Sequence, residues 1–231
     1  MKKFNNEKAI ISLTSWKKRI DTVGITIQNI IRQMGKEFHI VLVLSEEEFP
    51  RKENELPKSL TIFVQRNLIE ILWVKKNYKS FKKFIFTQIK YPNTPVITLD
   101  DGCVYLENVA ENLYKNWIKK PNAIMGVRSH YKPGRFGSIV WFGGGRGVIY
   151  PPSVFNKFVK YLDIQEIIST NNDDFFFGFL ADLLKIPMIE IKANKDNFRV
   201  IKKAEDEGLS KNRTYNDTDA FNILNRIFKQ N

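Results

Sequence analysis

The stretch that most limits what this chain can become is residues 95–105, Pro-Val-Ile-Thr-Leu-Asp-Asp-Gly-Cys-Val-Tyr. A short apolar run ends abruptly in two adjacent carboxylates, Asp100 and Asp101, and Gly102 leads into a second short apolar run. Asp and Gly favour turns, so a plain strand end is one reading. The other is a buried central strand that carries acidic side chains to the carboxyl edge of a sheet, where open α/β sheets bind their ligands. Two neighbouring carboxylates repel unless something positive sits between them. A hard divalent cation with phosphate oxygens meets that need.

The segments around this run read as alternating strands and helices. Residues 8–14, Lys-Ala-Ile-Ile-Ser-Leu-Thr, predict a buried first strand. It ends in a polar turn, Thr14-Ser15-Trp16-Lys17-Lys18-Arg19, whose hydroxyls and cations suit a phosphate or a nucleotide base, or equally a solvated turn. Apolar positions 23, 27, 30, 31 and 34 form one helical face, which Gly35 can close. A second strand is expected over 38–44, a loop or short helix over 46–57, and short strands over 60–64 and 69–74. Over 78–91, Phe81, Phe84, Ile85 and Ile89 make an amphipathic helix. Lys79, Lys82 and Lys83 lie near its start, where backbone N–H groups and the helix dipole favour anions. Strand, helix and acidic strand follow the βαβ logic of a parallel sheet.

Downstream, 106–117 predicts a helix and 123–127 a strand. Residues 128–138, polar and basic with Pro133, Gly134 and Gly137, predict a mobile loop. Gly143, Gly144 and Gly145, with Gly147 after Arg146, allow close backbone approach to a ligand, a sharp bend or a hairpin turn. No Gly-Lys-Ser/Thr follows, so this is not a P-loop. A helix is expected over 153–161. Asn171-Asn172-Asp173-Asp174 opens another over 175–184: the Asx residues cap it and the acids suit its positive end, yet capping needs only one of them. A last strand over 186–191 precedes a charged, polar stretch, 192–215, read as a long excursion or flexible flap. A C-terminal helix occupies 216–231, with its apolar face over 216–228. No repeat or linker divides the chain, so residues 1–231 read as one α/β domain with a mostly parallel central sheet flanked by helices.

Composition narrows the partners. The formal charge is +12, from 37 Lys and Arg against 25 Asp and Glu, which favours anionic partners or reflects lysine-rich codon usage. The single cysteine, Cys103, excludes an internal disulfide and a cysteine-built metal site, and fits a reducing compartment. No apolar core follows the N-terminal lysines and no apolar run nears a membrane span, so neither a signal peptide nor a spanning helix is expected.

The order of these pieces resembles bacterial glycosyltransferases of the GT-A type, the Rossmann-like fold that uses nucleotide sugars. The residues that carry the likeness are Ile11 to Ile20 on the first strand and turn, and Lys79-Ser80-Phe81-Lys82-Lys83. Thr98-Leu99-Asp100-Asp101-Gly102 stands at the Asp-x-Asp position, followed by Gly143-Gly144-Gly145 before Tyr150-Pro151-Pro152, and by Asn172-Asp173-Asp174-Phe175-Phe176. It spans roughly residues 9–227. The resemblance implies donor-binding roles for Ser12, Thr14, Ser15, Arg19, Lys83 (or else Lys82), Asp100 and Asp101. It implies Mn²⁺ or Mg²⁺ on Asp101 and Asp100, and a donor sugar or acceptor against Gly143, Gly144 and Gly145. Asp173 or Asp174 would face the acceptor hydroxyl as the catalytic carboxylate. A leaving nucleoside diphosphate gains negative charge that a metal and lysines stabilise. The acceptor hydroxyl needs a carboxylate to take its proton if the reaction inverts.

Two departures stand out. Gly102 replaces the usual last acidic residue, which leaves metal binding weaker, shifted to Asp101 or lost, and no histidine follows Asp174. His39 reads as structural and His130 as a surface or acceptor-loop residue. The expected activity is transfer from a nucleotide sugar, most simply of the UDP type, to a glycan or lipid-linked acceptor in capsule, lipopolysaccharide or other surface-polysaccharide synthesis. That activity implies a cytoplasmic protein in peripheral contact with the anionic inner face of the membrane. The alternatives are a degenerate family member that binds a nucleotide sugar or glycan without turnover, and a basic nucleic-acid-binding protein. The dispersed basic residues and the lack of any RNA-binding or helix-turn-helix signature argue against nucleic acid.

Overall fold

The first strand sets the layering. In β1 (Ala9–Thr14), Ala9, Ile11 and Leu13 point to one core while Ile10 and Ser12 point to the other face, and all five are fully buried. A strand buried on both faces belongs inside a sheet covered by helices. The computed structural model, which describes residues 7–134, 137–156, 158, 165–193, 197–206 and 216–229, has that arrangement. After β1 come α1 (Ile20–Gln33), β2 (Phe38–Ser45), α2 (Lys58–Gln65), β3 (Glu70–Val74), α3 (Lys82–Lys90) and β4 (Val96–Thr98). Next are β5 (Cys103–Tyr105), α4 (Val109–Trp117), β6 (Ile124–Gly126), β7 (Ser129–Gly134), β8 (Gly137–Phe142) and β9 (Val148–Tyr150). The described chain ends with α5 (Gln165–Ser169), α6 (Asp173–Leu183), β10 (Met188–Glu190), β11 (Phe198–Val200), α7 (Lys202–Asp206) and α8 (Asp217–Lys229).

Among the described residues seven strands form the central sheet, in the order β10-β6-β9-β4-β1-β2-β3. All neighbours are parallel except β9, which runs antiparallel between β4 and β6. The expected mostly parallel α/β sheet is what the chain forms. One core packs α1 and α4 on a face of the sheet through Val23, Ile27, Leu113 and Trp117. The opposite core is aromatic: Phe81 and Phe84 of the α3 region meet Phe176 and Phe177 of α6, with ring centroids 4.8–6.2 Å apart. Helix α6 also lies tight against β8, since a Cβ on Gly178 would come within 2.5 Å of the Val140 carbonyl oxygen. This packing fixes where α6 begins, and its first turn carries Asp173 and Asp174.

Several expectations are corrected. Residues 60–64 are not a strand but lie in α2, which starts after Pro57 and fully buries Leu60 while Ile62 stays 43% exposed. One-sided burial suits a helix on the outside of the sheet better than an inner strand. Residues 129–134 pair antiparallel with 137–142 as the β7–β8 hairpin, from Ser129 opposite Phe142 to Gly134 opposite Gly137, rather than forming a mobile loop. Pro133 fits there because a two-stranded ribbon has free edges. No α-helix begins at Ser153: residues 152–155 are turns, and the expected helix otherwise falls largely outside the described residues. Within 192–215, residues 197–206 are ordered as β11, paired antiparallel with β5, and α7. Among the described residues no helix is long and apolar enough to cross a membrane.

Candidate functional site

One row of the sheet registers the whole edge. Ser12 pairs with Thr98, Thr98 with Val148, Val148 with Gly126, and Gly126 with Glu190. In the parallel strands the chain leaves the sheet just past this row, and in antiparallel β9 it enters there. The β1 turn, the Asp100–Asp101 pair and the Gly143–Gly147 segment therefore share the carboxyl edge, where a parallel sheet binds ligands.

Beside β4 a charged cluster forms around Lys83. Its Nζ donates to Asp100 Oδ1 at 2.9 Å and lies 3.3 Å from Asp173 Oδ2. Asp174 Oδ2 accepts the Gly144 backbone N–H at 2.9 Å. A Cβ on Gly144 would stand 2.9 Å from Asp174 Oδ1, 3.2 Å from Lys83 Nζ and 3.3 Å from Asp100 Oδ1, so only glycine lets the backbone approach this closely. The side chain of Asn172 caps α6 by accepting the Phe175 N–H, which leaves both acids of the first turn free for the cluster. Burial works to lower the Lys83 ammonium, but Asp100, Asp173 and Asp174 outweigh it and hold the group charged well above its ordinary range. Asp174 is pushed up to about 7, first by burial and then by the neighbouring Asp173 charge. Lys83 and the Gly144 N–H pull the other way. A carboxylate poised near neutrality beside a fixed ammonium is the kind of pairing that moves protons at an active site.

A second cluster forms at the β1 turn. Asp101, 6% exposed, accepts from Arg19 Nη1 at 2.6 Å and from the Ser15 hydroxyl at 2.7 Å, one bond to each carboxylate oxygen. Arg19 also donates to the Ala204 carbonyl, which ties α7 to this turn. A Cβ on Gly102 would lie 2.8 Å from the Ala204 Cβ, so the position of the missing third acid is filled by α7. Among the described residues, Trp16 Nε1 and Arg19 Nε are buried here without a hydrogen-bond partner. Buried donors of that kind are uncommon and call for an acceptor.

The structure thus brings Lys83, Asp100, Asp173, Asp174, Gly144 and Gly145 together, and gathers Ser15, Arg19 and Asp101 apart from them. Ser12 is fully buried and bonds the Lys83 carbonyl and the Thr87 hydroxyl, so it holds α3 on β1. Thr14 donates to the Val43 carbonyl at 2.7 Å. Lys82 is 1% exposed and donates to Asn77 Oδ1 and Glu48 Oε2, away from the cluster. Gly143 lies beside His130, which stacks on Trp141 at 5.7 Å. His39 of β2 bonds Glu70 Oε2 of the edge strand β3 at 3.2 Å, away from the cluster. Sequence reasoning missed Tyr105, whose buried hydroxyl accepts the Asp100 N–H at 3.1 Å and steadies the acidic turn. Its only signal was an aromatic five residues past Asp100.

Among the described residues, Asp100 is where a donor set suits a divalent cation. Asp101 is committed to Arg19 and Ser15, Gly102 offers nothing, and among the described residues no group of three or more His, Cys, Asp or Glu could hold a metal ion. Asp100, its side chain 40% exposed, shares Oδ1 with Lys83, while a Cβ on Gly145 would stand 3.3 Å from Oδ2. Mg²⁺ is often held by one or two carboxylates with substrate phosphates completing the shell. Asp100 suits a cation that arrives with a diphosphate.

No protein-family model matches the chain, and no curated protein does. Solved structures do. The mannosyltransferase PcManGT from Pyrobaculum calidifontis, in complex with GDP-Man and Mn²⁺, matches with a TM-score of 0.50 at 10% identity, over 82% of this chain and 56% of its own. The 4-diphosphocytidyl-2C-methyl-D-erythritol synthase from Anaerococcus prevotii DSM 20548 matches with a TM-score of 0.52 at 16% identity, over 87% of this chain and 95% of its own. The glycosyltransferase GlyE from Streptococcus pneumoniae TIGR4 gives 0.47 at 13% identity, over 80% and 46%. The chain spans about half the length of these two glycosyltransferases. The likeness to PcManGT and to the synthase is one of fold, a GT-A, Rossmann-like sheet, and fold alone does not assign chemistry.

Proposed function

We propose that this chain is a glycosyltransferase that moves a sugar from a nucleoside diphosphate donor to a hydroxyl of a glycan or lipid-linked acceptor. The process it serves is surface-polysaccharide synthesis at the inner face of the membrane, where its basic surface meets anionic lipid. The observation that carries this reading is Asp174, raised toward neutrality and held by Gly144 N–H beside Lys83, on the same edge as the β1 turn. The donor's nucleoside, of the UDP type, lies at residues 14–19, where Trp16 Nε1 and Arg19 Nε, without a partner among the described residues, are donors it would engage. Its diphosphate lies against Lys83. The acceptor hydroxyl gives its proton to an Asp174 oxygen as its own oxygen bonds to the anomeric carbon. The bond from that carbon to the diphosphate breaks, and the electron pair leaves with the nucleoside diphosphate. Lys83 stabilises the charge that develops there. Asp173 is a positioning residue: it pairs with Lys83 at 3.3 Å and keeps Asp174 basic. A divalent cation held on Asp100 would add charge stabilisation to the leaving group.

The test is nucleoside diphosphate release by the full chain from a panel of nucleotide sugars, with and without glycan acceptors. Asp174→Asn is expected to cut turnover by about a hundredfold or more while nucleotide binding persists, in line with the loss of a general base. Full turnover in that variant would overturn the assignment of the base. Binding of nucleotide sugars with no turnover of any would leave the degenerate-binder alternative standing in its place.

A further inference from the structure

Across β9 from the Lys83 cluster lies a cavity of about 760 Å³ that the donor reading leaves unused. Val127 and Ile191 contribute apolar wall, and the charged lining is Arg128, Arg146, Lys192 and Glu190. The three cations come from three separate segments, yet the register explains their meeting. Gly126 pairs with both Val148 and Glu190, and Arg128, Arg146 and Lys192 each stand two residues outside that row. Parallel strands β6 and β10 deliver Arg128 and Lys192 side by side, and antiparallel β9 brings Arg146 in from the other direction. Glu190 is already engaged, since its Oε2 accepts both the N–H and the hydroxyl of Ser129. Among the described lining residues three cations stand beside one carboxylate, a local balance that favours anions. Arg146 is oriented as well as charged: its guanidinium carbon lies 5.0 Å from the Phe198 ring centroid, and Nη1 donates to Asn197 Oδ1 at 3.3 Å. A guanidinium held in plane presents a fork that matches a carboxylate or phosphate.

The turn Gly144–Arg146 joins the two sites. Its first residue binds Asp174 and its last lines the cavity. We propose that this cavity is the acceptor subsite and that it takes an anionic acceptor, anchored by a phosphate or carboxylate group on Arg128, Arg146 and Lys192. This rests on the glycosyl-transfer reading for the word acceptor, whereas the anion site itself does not. The turn Gly144–Arg146 touches both Asp174 and the cavity, and the proposal requires an attached sugar hydroxyl to span that turn to the base. The anion belongs either to the diphosphate of a lipid carrier or to an acidic sugar.

The experiment is calorimetric titration of the full chain with inorganic pyrophosphate and, separately, with glucuronate, each repeated with saturating nucleoside diphosphate. The expected result is binding of at least one probe that survives the nucleotide and weakens at least tenfold in Arg128→Ala/Lys192→Ala. Both side chains are exposed, so the fold should persist, and Arg128→Lys should restore part of the affinity. Tighter pyrophosphate identifies a phosphate-linked carrier, and tighter glucuronate an acidic sugar. Equal affinity in the double variant, displacement of both probes by nucleotide, or no binding of either probe overturns the proposal. If nucleotides fail to bind but a probe still depends on Arg128 and Lys192, the donor reading falls and the anion site stands.

Discussion

Asp174 should titrate near pH 7 in the folded chain, about three pH units above an ordinary aspartate. Two neighbours control that value in opposite senses. Asp174 Oδ1 and Lys83 Nζ lie 2.9 and 3.2 Å from one point, the Cβ position of Gly144, so they are at most about 6 Å apart. At that range a single charge moves a carboxylate by roughly one to three pH units. Lys83→Met removes an attractive charge, so the midpoint should rise by about one unit or more. Asp173→Asn removes a repulsive one, so it should fall by a similar amount. Carboxyl ¹³C NMR on the full chain, with Asp174→Asn to assign the signal, reads these midpoints without any substrate. The sign carries into stability. A carboxyl raised in the folded state contributes stability that is complete below the unfolded value of about 4 and is lost as pH climbs through 7. Catalysis runs the other way, because a general base must be ionised. Turnover should fall about tenfold per unit below pH 7, or about a hundredfold by pH 5. An Asp174 midpoint near 4, or one that ignores both Lys83→Met and Asp173→Asn, would refute this electrostatic account.

The two acids of the β4 turn should separate by phenotype. Asp101→Ala strands the Arg19 guanidinium, only 15% exposed, and should cost about 3 to 5 kcal/mol, seen as a fall of roughly 10 °C in Tm. Asp100→Ala should leave Tm nearly unchanged and instead remove any dependence of nucleotide binding on Mg²⁺ or Mn²⁺, measured by titration with and without chelator. Gly102→Asp, which would rewrite the motif with a third acid, should lower Tm rather than improve metal binding, because its Cβ meets the Ala204 Cβ at 2.8 Å. A stable Gly102→Asp variant with tighter metal-dependent binding would show that α7 yields easily.

What the sequence revealed, it revealed through periodicity and local chemistry. Strands β1, β2 and β4 are continuous apolar runs, and α1, α3 and α6 carry amphipathic or capped patterns, so their residues announced them. Residues 60–64 misled because Leu-Thr-Ile-Phe-Val has a strand's composition, while the helix they form is decided by Pro57 before it and by a face that buries Leu60 alone. The candidate site was partly legible. Lys83, Asp100, Asp173 and Asp174 were all named from sequence, and the geometry brings all four to one point. The division of labour between the two adjacent acids was hidden, since it depends on Arg19 and Ser15 reaching Asp101 from 82 and 86 residues away. The basic cavity was hidden for the same reason. Arg128, Arg146 and Lys192 share no motif, and only the strand register assembles them.

The central claim, a donor site for a nucleoside diphosphate sugar on the β1–β4 edge, is tested most directly by thermal stability of the full chain. The panel is nucleoside diphosphates and their sugars, each with Mn²⁺, with Mg²⁺ and with chelator. At about a hundred times its Kd a true donor should add roughly 2.7 kcal/mol, a rise of about 5 to 10 °C for a chain of this size. One nucleotide family should give that rise, and Lys83→Met should abolish it. No stabilisation by any nucleotide, or stabilisation indifferent to Lys83, would contradict the account.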